Sequence, residues 1–299
     1  MKLSKILIIM GGAIAVLIAA GYSYVFVLGA PQLDRPQNQV NTGLKFQLES
    51  FNSPAMGTVR NYGVILPPDY NKNLQERYPV IFLLHGGHDD SRAYTDKYAL
   101  LSVLHELYQS GKLPPSIVIT PDGNDRRGSN PFYDPDYFDG PNGKLGTLIG
   151  SELVQVVKSR YRTSKKPQLW AMGGVSSGGW GALNIGLRYL QNFNVFFSHC
   201  GYFTDKSSPQ NSPQQLVQKL SIPNRKKMRV YLDVGVDDAS FLASTKAFHE
   251  TLDTLNIANI FHAFPGGHGL SGPDVGWNYF HKHLKESLAY VGEQFKNSK

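Results

Sequence analysis

Ser176 has the sequence setting that most directly suggests chemistry. It stands in Gly174-Val175-Ser176-Ser177-Gly178, the G-x-S-x-G spacing at which a strand turns sharply into a helix and exposes a serine hydroxyl. A side chain at Gly174 or Gly178 would collide as the chain doubles back, and the turn holds Ser176 in a sparsely populated backbone conformation. The next helix starts at Ser177, whose amide is then an unpaired first-turn donor beside the nucleophile, half of an oxyanion hole. A hydroxyl is a weak nucleophile and needs an imidazole base, itself oriented by a carboxylate. Two loops after late apolar runs offer these groups: Gly235-Val236-Asp237-Asp238, and Gly266-Gly267-His268-Gly269. Spacing alone leaves Asp237 and Asp238 both open, because adjacent loop residues can point in opposite directions. A second oxyanion donor is expected at Gly87 in His85-Gly86-Gly87-His88, where glycines let the backbone approach a substrate oxygen.

Other reactive residue types have plainer readings. Of nine histidines, His105, His249, His281 and His283 fall on helical patterns and His199 and His262 in strands, as packing or surface residues. His85 and His88 have no third ligand at a recognisable spacing, so no metal is expected. For Asp122, Asn124 and Asp125 a calcium loop fails because Arg127 stands where that loop requires glycine; turn chemistry explains them. The single cysteine, Cys200, excludes an internal disulfide and reads as a small buried residue after Val195-Phe196-Phe197.

The elements that must position these groups follow from hydrophobic patterning. Alternation from Leu44 to Leu66, broken at Asn52-Ser53-Pro54, reads as an antiparallel hairpin. Tyr78–Leu84 is a continuous apolar run, as expected of a central strand covered on both faces; Ser116–Thr120 and Gln168–Met172 read as buried strands, and Val195–Cys200, Met228–Val234 and Ile260–Phe264 as further strands. Helical spacing marks Ala99–Tyr108, Thr147–Arg160 with Thr147 as N-cap, the segment after the elbow through Leu190, Phe241–Leu255 and Trp277–Tyr290. Alternating strand and helix predicts an α/β domain over 43–299, with a mostly parallel sheet and helices on both faces. Two irregular stretches, Asn124–Lys144 and Thr204–Asn224, are the expected pocket walls, with Tyr133, Tyr137 and Phe138 able to stack on a substrate ring.

The N-terminus concerns location. Lys2 and Lys5 precede Ile6–Leu28, an uncharged run long enough to cross a bilayer. Residues 1–30 are therefore expected to be a membrane anchor, or a cleaved signal segment if Ala19-Ala20-Gly21 is used. Residues 31–42 follow as a linker. Either way the catalytic domain is expected outside the cytoplasm, periplasmic or extracellular, and secreted if the leader is cleaved. The net charge of +7 is diffuse, with small clusters at Lys165-Lys166 and Arg225-Lys226-Lys227, so no nucleic-acid partner is expected.

The order Ser, Asp, His is that of α/β-hydrolases. Tyr78–Gly87, Pro121-Asp122-Gly123, the Glu152-Leu153 helix ending Ser159-Arg160-Tyr161-Arg162, the elbow with Gly179, and Pro265-Gly266-Gly267-His268 together resemble the esterase family of that fold. That family includes esterase D (S-formylglutathione hydrolase), feruloyl and acetylxylan esterases, and mycolyltransferases. The resemblance runs from about Ser53 to Leu284. It implies Ser176 as nucleophile, Asp238 as acid, His268 as base, and N–H donors at Gly87 and Ser177. Many relatives carry methionine where Ser177 stands, but only its backbone is needed. Mycolyltransferases usually use glutamate as the acid, and a membrane leader fits poorly with a cytosolic formylglutathione hydrolase. The expected function is serine esterase on a small-molecule or carbohydrate acyl ester, without cofactor. Its rivals are an acyltransferase to a sugar or lipid hydroxyl and a non-catalytic binding protein on the same fold.

Overall fold

The apolar runs of the sequence become the centre of one eight-stranded sheet in the computed structural model. The structure describes residues 3–28, 31–34, 42–129, 133–204 and 208–298. Lys2, residues 29–30, most of the expected linker (35–41) and parts of the two expected pocket walls (130–132 and 205–207) lie outside the described residues. The strands are β1 (Phe46–Ser53), β2 (Thr58–Ile65), β3 (Val80–Leu84), β4 (Ile117–Pro121), β5 (Trp170–Val175), β6 (Val195–His199), β7 (Arg229–Gly235) and β8 (Ala258–Phe264). They lie in the order β1-β2-β4-β3-β5-β6-β7-β8. β1 and β2 form the expected antiparallel hairpin, and β3 through β8 run parallel. Every residue of β3, β4, β5 and β6 is buried, which is why these strands read as continuous rather than alternating apolar runs.

Successive side chains of a strand point to opposite faces, and β3 divides accordingly. Val80, Phe82 and Leu84 enter one core; Ile81 and Leu83 enter the other. The first core is closed by the helices α3 (Leu153–Arg160), α4 (Ser177–Gly186) and α5 (Ala239–Thr254), through Leu153, Val157, Leu183, Phe248 and Leu252. The second is closed by α2 (Leu100–Gln109) and α6 (Trp277–Lys296), through Leu100, Leu104, Leu107, Leu284 and Leu288. The result is the α/β-hydrolase arrangement, with helices on both faces.

Several boundaries differ from the sequence reading for physical reasons. Helix α6 continues past Tyr290 because Val291 and Phe295 prolong the buried stripe of Leu284 and Leu288. Thr147 is not an N-cap. The helix begins at Leu145, passes through a wide turn at Leu148–Glu152, and is capped from outside by Asp139, which accepts from the Thr147 amide (2.8 Å) and hydroxyl (2.6 Å). The stretch 204–224 is not wholly irregular: Pro213–Leu216 and Ile222–Lys227 are short helices with proline in the first turn. At the N-terminus, α1 (Leu3–Tyr22) continues into a wide turn at Ser23–Val27, and Lys5–Val25 is long and apolar enough to cross a membrane. Part of the expected linker is not free chain: Gln32 is buried against the domain.

Candidate active site

The elbow after β5 has the geometry its glycines require. Ser176 has φ 53° and ψ −121°, a conformation held because the turn is pinned on both sides. A Cβ on Gly174 would stand 2.3 Å from the Gly178 backbone, and one on Gly178 would stand 2.2 Å from the Leu84 carbonyl oxygen at the end of β3. The Ser176 amide donates to the His199 carbonyl (2.8 Å), which ties the nucleophile's backbone to β6.

His268 and Asp238 arrive from loops beyond the carboxyl ends of β8 and β7, where ligands bind in open α/β sheets. Asp238 Oδ2 accepts twice from the same residue, from His268 Nδ1 (2.7 Å) and from the His268 amide (2.9 Å). Nδ1 therefore carries a proton, and Nε2 is left as the basic nitrogen; among the described residues Nε2 has no hydrogen-bond partner. The ring lies against Phe241 (centroids 4.7 Å apart) and meets the edge of Phe280 (5.7 Å). Burial alone would raise the Asp238 carboxyl. The hydrogen bonds from His268 outweigh that and hold it below its ordinary value. Of the two carboxylates that spacing left open, Asp238 meets His268. Asp237 is exposed, and its carboxylate makes no hydrogen bond or ion pair among the described residues. It does not cap the next helix: Asp238 occupies the N-cap position of α5, without a side-chain cap bond.

Cys200, buried as expected, sits under this pair. Its sulfur, an Asp238 oxygen and a His268 nitrogen lie within 4.8 Å of one another. Burial pushes the Cys200 thiol well above its ordinary value. The sulfur is thus kept as a protonated donor rather than as the thiolate that binds metals.

On the opposite side, the loop after β3 is braced from beneath. Tyr94 donates to the Leu84 carbonyl (3.0 Å) and Tyr137 to the His85 carbonyl (2.8 Å). His85 Nε2 accepts from the Gly123 amide (2.9 Å), so His85 Nδ1 is the protonated nitrogen and donates to Gly86 O (2.8 Å). The Gly87 amide makes no hydrogen bond among the described residues, and Ser177 is the first residue of α4, where amides lack helical partners. Tyr137 and Phe138 are therefore not on the pocket wall. Tyr137 is fully buried as this brace, and Phe138 packs edge-on against Trp180. Tyr133 is exposed and stands under the Arg127 guanidinium, next in the chain to Asp134, which lines Ser176's cleft. Asn124 and Asp125 make the expected turn bonds: Asn124 N–H to Asp122 Oδ1 (3.1 Å) and Arg127 N–H to Asp125 Oδ1 (2.9 Å).

Ser176, Gly87 and His268 share a cleft of about 330 Å³. Among the described residues of the two expected walls, Asp134 alone lines it. Besides the residues that flank the three motifs, the lining includes residues the sequence gives no site role: Gln32, Lys97, Tyr98, Leu270, Trp277 and Phe280. Lys97 is paired with Asp89 and stands 5.0 Å from the Trp277 ring centre, so the rim carries cation, carboxylate and aromatic groups together. Patterning gave no sign of these residues, because they line the cleft only when three distant loops meet.

A second Ser-His-Asp set lies behind the sheet. His199 bonds Asp233 Oδ2 through Nδ1 (2.7 Å) and Ser287 Oγ through Nε2 (2.9 Å), and Tyr279 donates to Asp233 Oδ1 (3.1 Å). All four residues are 0% exposed, so no ester reaches them. They satisfy buried polar groups and fix the strand whose carbonyl holds Ser176.

Comparison with known proteins gives the family and the fold. The profile of the family described as "Putative esterase" matches residues 53–291. An esterase of Mycobacterium tuberculosis is 26% identical over 258 residues, covering 73% of this chain and 54% of its own length. The chain thus spans about half the length of that relative. Among solved structures, a ferulic acid esterase superposes with TM-score 0.73 at 24% identity, over 84% of this chain and 99% of its own. An S-formylglutathione hydrolase from Agrobacterium tumefaciens superposes with TM-score 0.66 at 17% identity, over 89% and 99%.

Proposed function

The chain belongs to this esterase family, and from that premise we propose that it is a serine esterase that cleaves a carboxylic acyl ester through an acyl-enzyme intermediate. The observation that carries the reading is the paired contact of Asp238 with His268, which occupies Nδ1 and turns Nε2 to the cleft that holds Ser176. His268 Nε2 takes the Ser176 proton as Oγ attacks the ester carbonyl. The amides of Gly87 and Ser177 receive the negative oxygen of the tetrahedral intermediate. The intermediate collapses to acyl-Ser176 as Nε2 passes its proton to the departing alcohol. Water, deprotonated by the same nitrogen, then releases the acid and restores the serine. Asp238 stabilises the imidazolium that forms in each half-reaction.

The apolar stretch Lys5–Val25 supports an N-terminal anchor, and Lys2 and Lys5 at its start favour a cytoplasmic N-terminus with the catalytic domain on the outer side. The mixed rim of Lys97, Asp134 and Trp277 suits a polar or aromatic ester of small size rather than a long apolar chain.

The test is hydrolysis of short-chain p-nitrophenyl esters with no added metal or nucleotide, followed by a panel of acetyl, feruloyl, long-acyl and thioester substrates with and without an alcohol acceptor. Turnover with water alone is expected. Product formed only with an acceptor would make the protein a transferase. Full activity in folded Ser176→Ala protein would refute the assignment.

A further inference from the structure

Residues Gln32–Asp34 lie outside the region matched by the family profile, which starts at residue 53, yet they are fastened to the loop that carries His268. The loop closes on itself first: the Gly267 amide donates to Asp274 O (3.1 Å) and the Gly276 amide to Gly267 O (2.7 Å). The N-terminal segment then grips that closure from outside. Gln32 Oε1 accepts from the Trp277 amide (3.2 Å), and Gln32 Nε2 donates to Val275 O (3.3 Å) and to Asp34 Oδ1 (3.1 Å). Leu33 donates its amide to Leu270 O (3.0 Å). Asp34 Oδ2 accepts from the Gly272 amide (2.8 Å), and its carbonyl accepts from Asn278 Nδ2 (2.6 Å). Gln32 is 5% exposed and packs so closely that a Cβ on Gly276 would stand 2.2 Å from its Oε1.

A glycine-rich loop does not hold an imidazole in one place unaided. Gly266, Gly267, Gly272 and Gly276 all have φ between 55° and 140°, so the loop's own chain supplies little stiffness. The bonds run in series from Gln32 through Val275 and Gly276 to Gly267 and so to His268. We propose that Gln32 and Asp34 are positioning residues for His268: a clip, supplied by the segment that follows the apolar helix, that fixes the catalytic loop and completes one wall of the cleft. The clip persists if the leader is cut at Ala19-Ala20-Gly21, because the cut leaves Gln32–Asp34 on the mature chain. The proposal rests on the assignment of His268 as the base.

The experiment compares full-length wild type with Gln32→Ala, Asp34→Ala and the double variant. Steady-state kinetics use a short p-nitrophenyl ester, Ser176 is labelled with a fluorophosphonate, and amide hydrogen exchange is followed over 267–278. A displacement of about 1 Å in a catalytic group costs up to about 100-fold. The double variant should therefore lose about 10- to 100-fold in kcat with KM nearly unchanged, label more slowly by a similar factor, and exchange faster only in 267–278. In a His268→Ala background the same two changes should lower the residual rate no further, since the residue they position is gone. Asp34→Ala, at an exposed position, guards against a variant that fails to fold. Wild-type kcat and labelling in the folded double variant would overturn the proposal, and so would an equal loss in the His268→Ala background. If wild type itself turns over no ester, the esterase reading fails, and exchange over 267–278 still reports whether the clip holds the loop.

Discussion

Asp238→Asn separates the proposed triad acid from its neighbour. One oxygen, Oδ2, accepts both the Nδ1 proton and the amide proton of His268. An asparagine can meet both donors only by presenting its carbonyl oxygen, so the loop geometry survives but the charge is lost. Opposite charges about 4 Å apart at an effective dielectric near 20 attract by about 4 kcal/mol, which is roughly a thousandfold in rate when it acts only on the imidazolium of the transition state. A fraction of molecules with the amide reversed would hold the wrong tautomer and add to the loss, toward about ten-thousandfold. Asp238→Asn should therefore fold, bind ester with little change in KM, and turn over about 10³- to 10⁴-fold more slowly. Asp237→Asn should stay within about twofold of wild type, because that carboxylate is exposed and has no partner among the described residues. Initial rates at saturating p-nitrophenyl acetate, with circular dichroism to check folding, decide it. A folded Asp238→Asn protein within tenfold of wild type, or an inactive Asp237→Asn protein, would refute the reasoning.

Tyr137→Phe removes a buried donor to the His85 carbonyl; it should cost about 1–2 kcal/mol in chemical denaturation and lower kcat several-fold, whereas a raised KM with unchanged stability would mean that the ring binds substrate. Acid should destabilise the fold: Asp125, where burial is outweighed by its bonds from Arg127, and Asp238 both have folded-state values below the ordinary carboxylate range. Their contribution is present above the unfolded value of about 3.9 and is lost as pH falls through the lower folded values. Melting temperatures measured downward from pH 5 should therefore fall, less steeply for Asp238→Asn than for wild type; an equal slope in both would remove Asp238 from the account. Fractionated cells should hold the full-length chain in the membrane pellet, with protease reaching the catalytic domain only from the outer side. A soluble product starting near Tyr22 would show instead that the leader is cleaved.

The parts legible in the sequence are those fixed by local rules. Strands buried on both faces announced themselves as apolar runs, and the elbow glycines are demanded by contacts within a few residues and with the end of β3. His268 stood out because its loop is glycine-flanked, whereas Asp238 was separated from Asp237 only by resemblance, since orientation within a turn depends on the Gly267–His268 backbone that meets it. Tyr137 and Phe138 depart from the sequence expectation because aromatics in an irregular stretch look alike whether they face a cleft or brace a loop. Gln32 was hidden for the opposite reason: its segment has linker composition, and its partners lie at Val275 and Trp277. The buried His199, Asp233 and Ser287 set shows that residue types alone do not make a site; exposure distinguishes it from the set at Ser176.

The central claim is a covalent acyl group on Ser176. Full-length protein mixed with p-nitrophenyl acetate, quenched in acid within the first turnovers and mapped by peptide mass spectrometry, should carry an acetyl group on Ser176. The group should appear in step with a burst of p-nitrophenol and be lost with further incubation in water. Its absence during continued turnover, or its appearance on Ser198, Cys200 or Ser287 instead, would contradict the account.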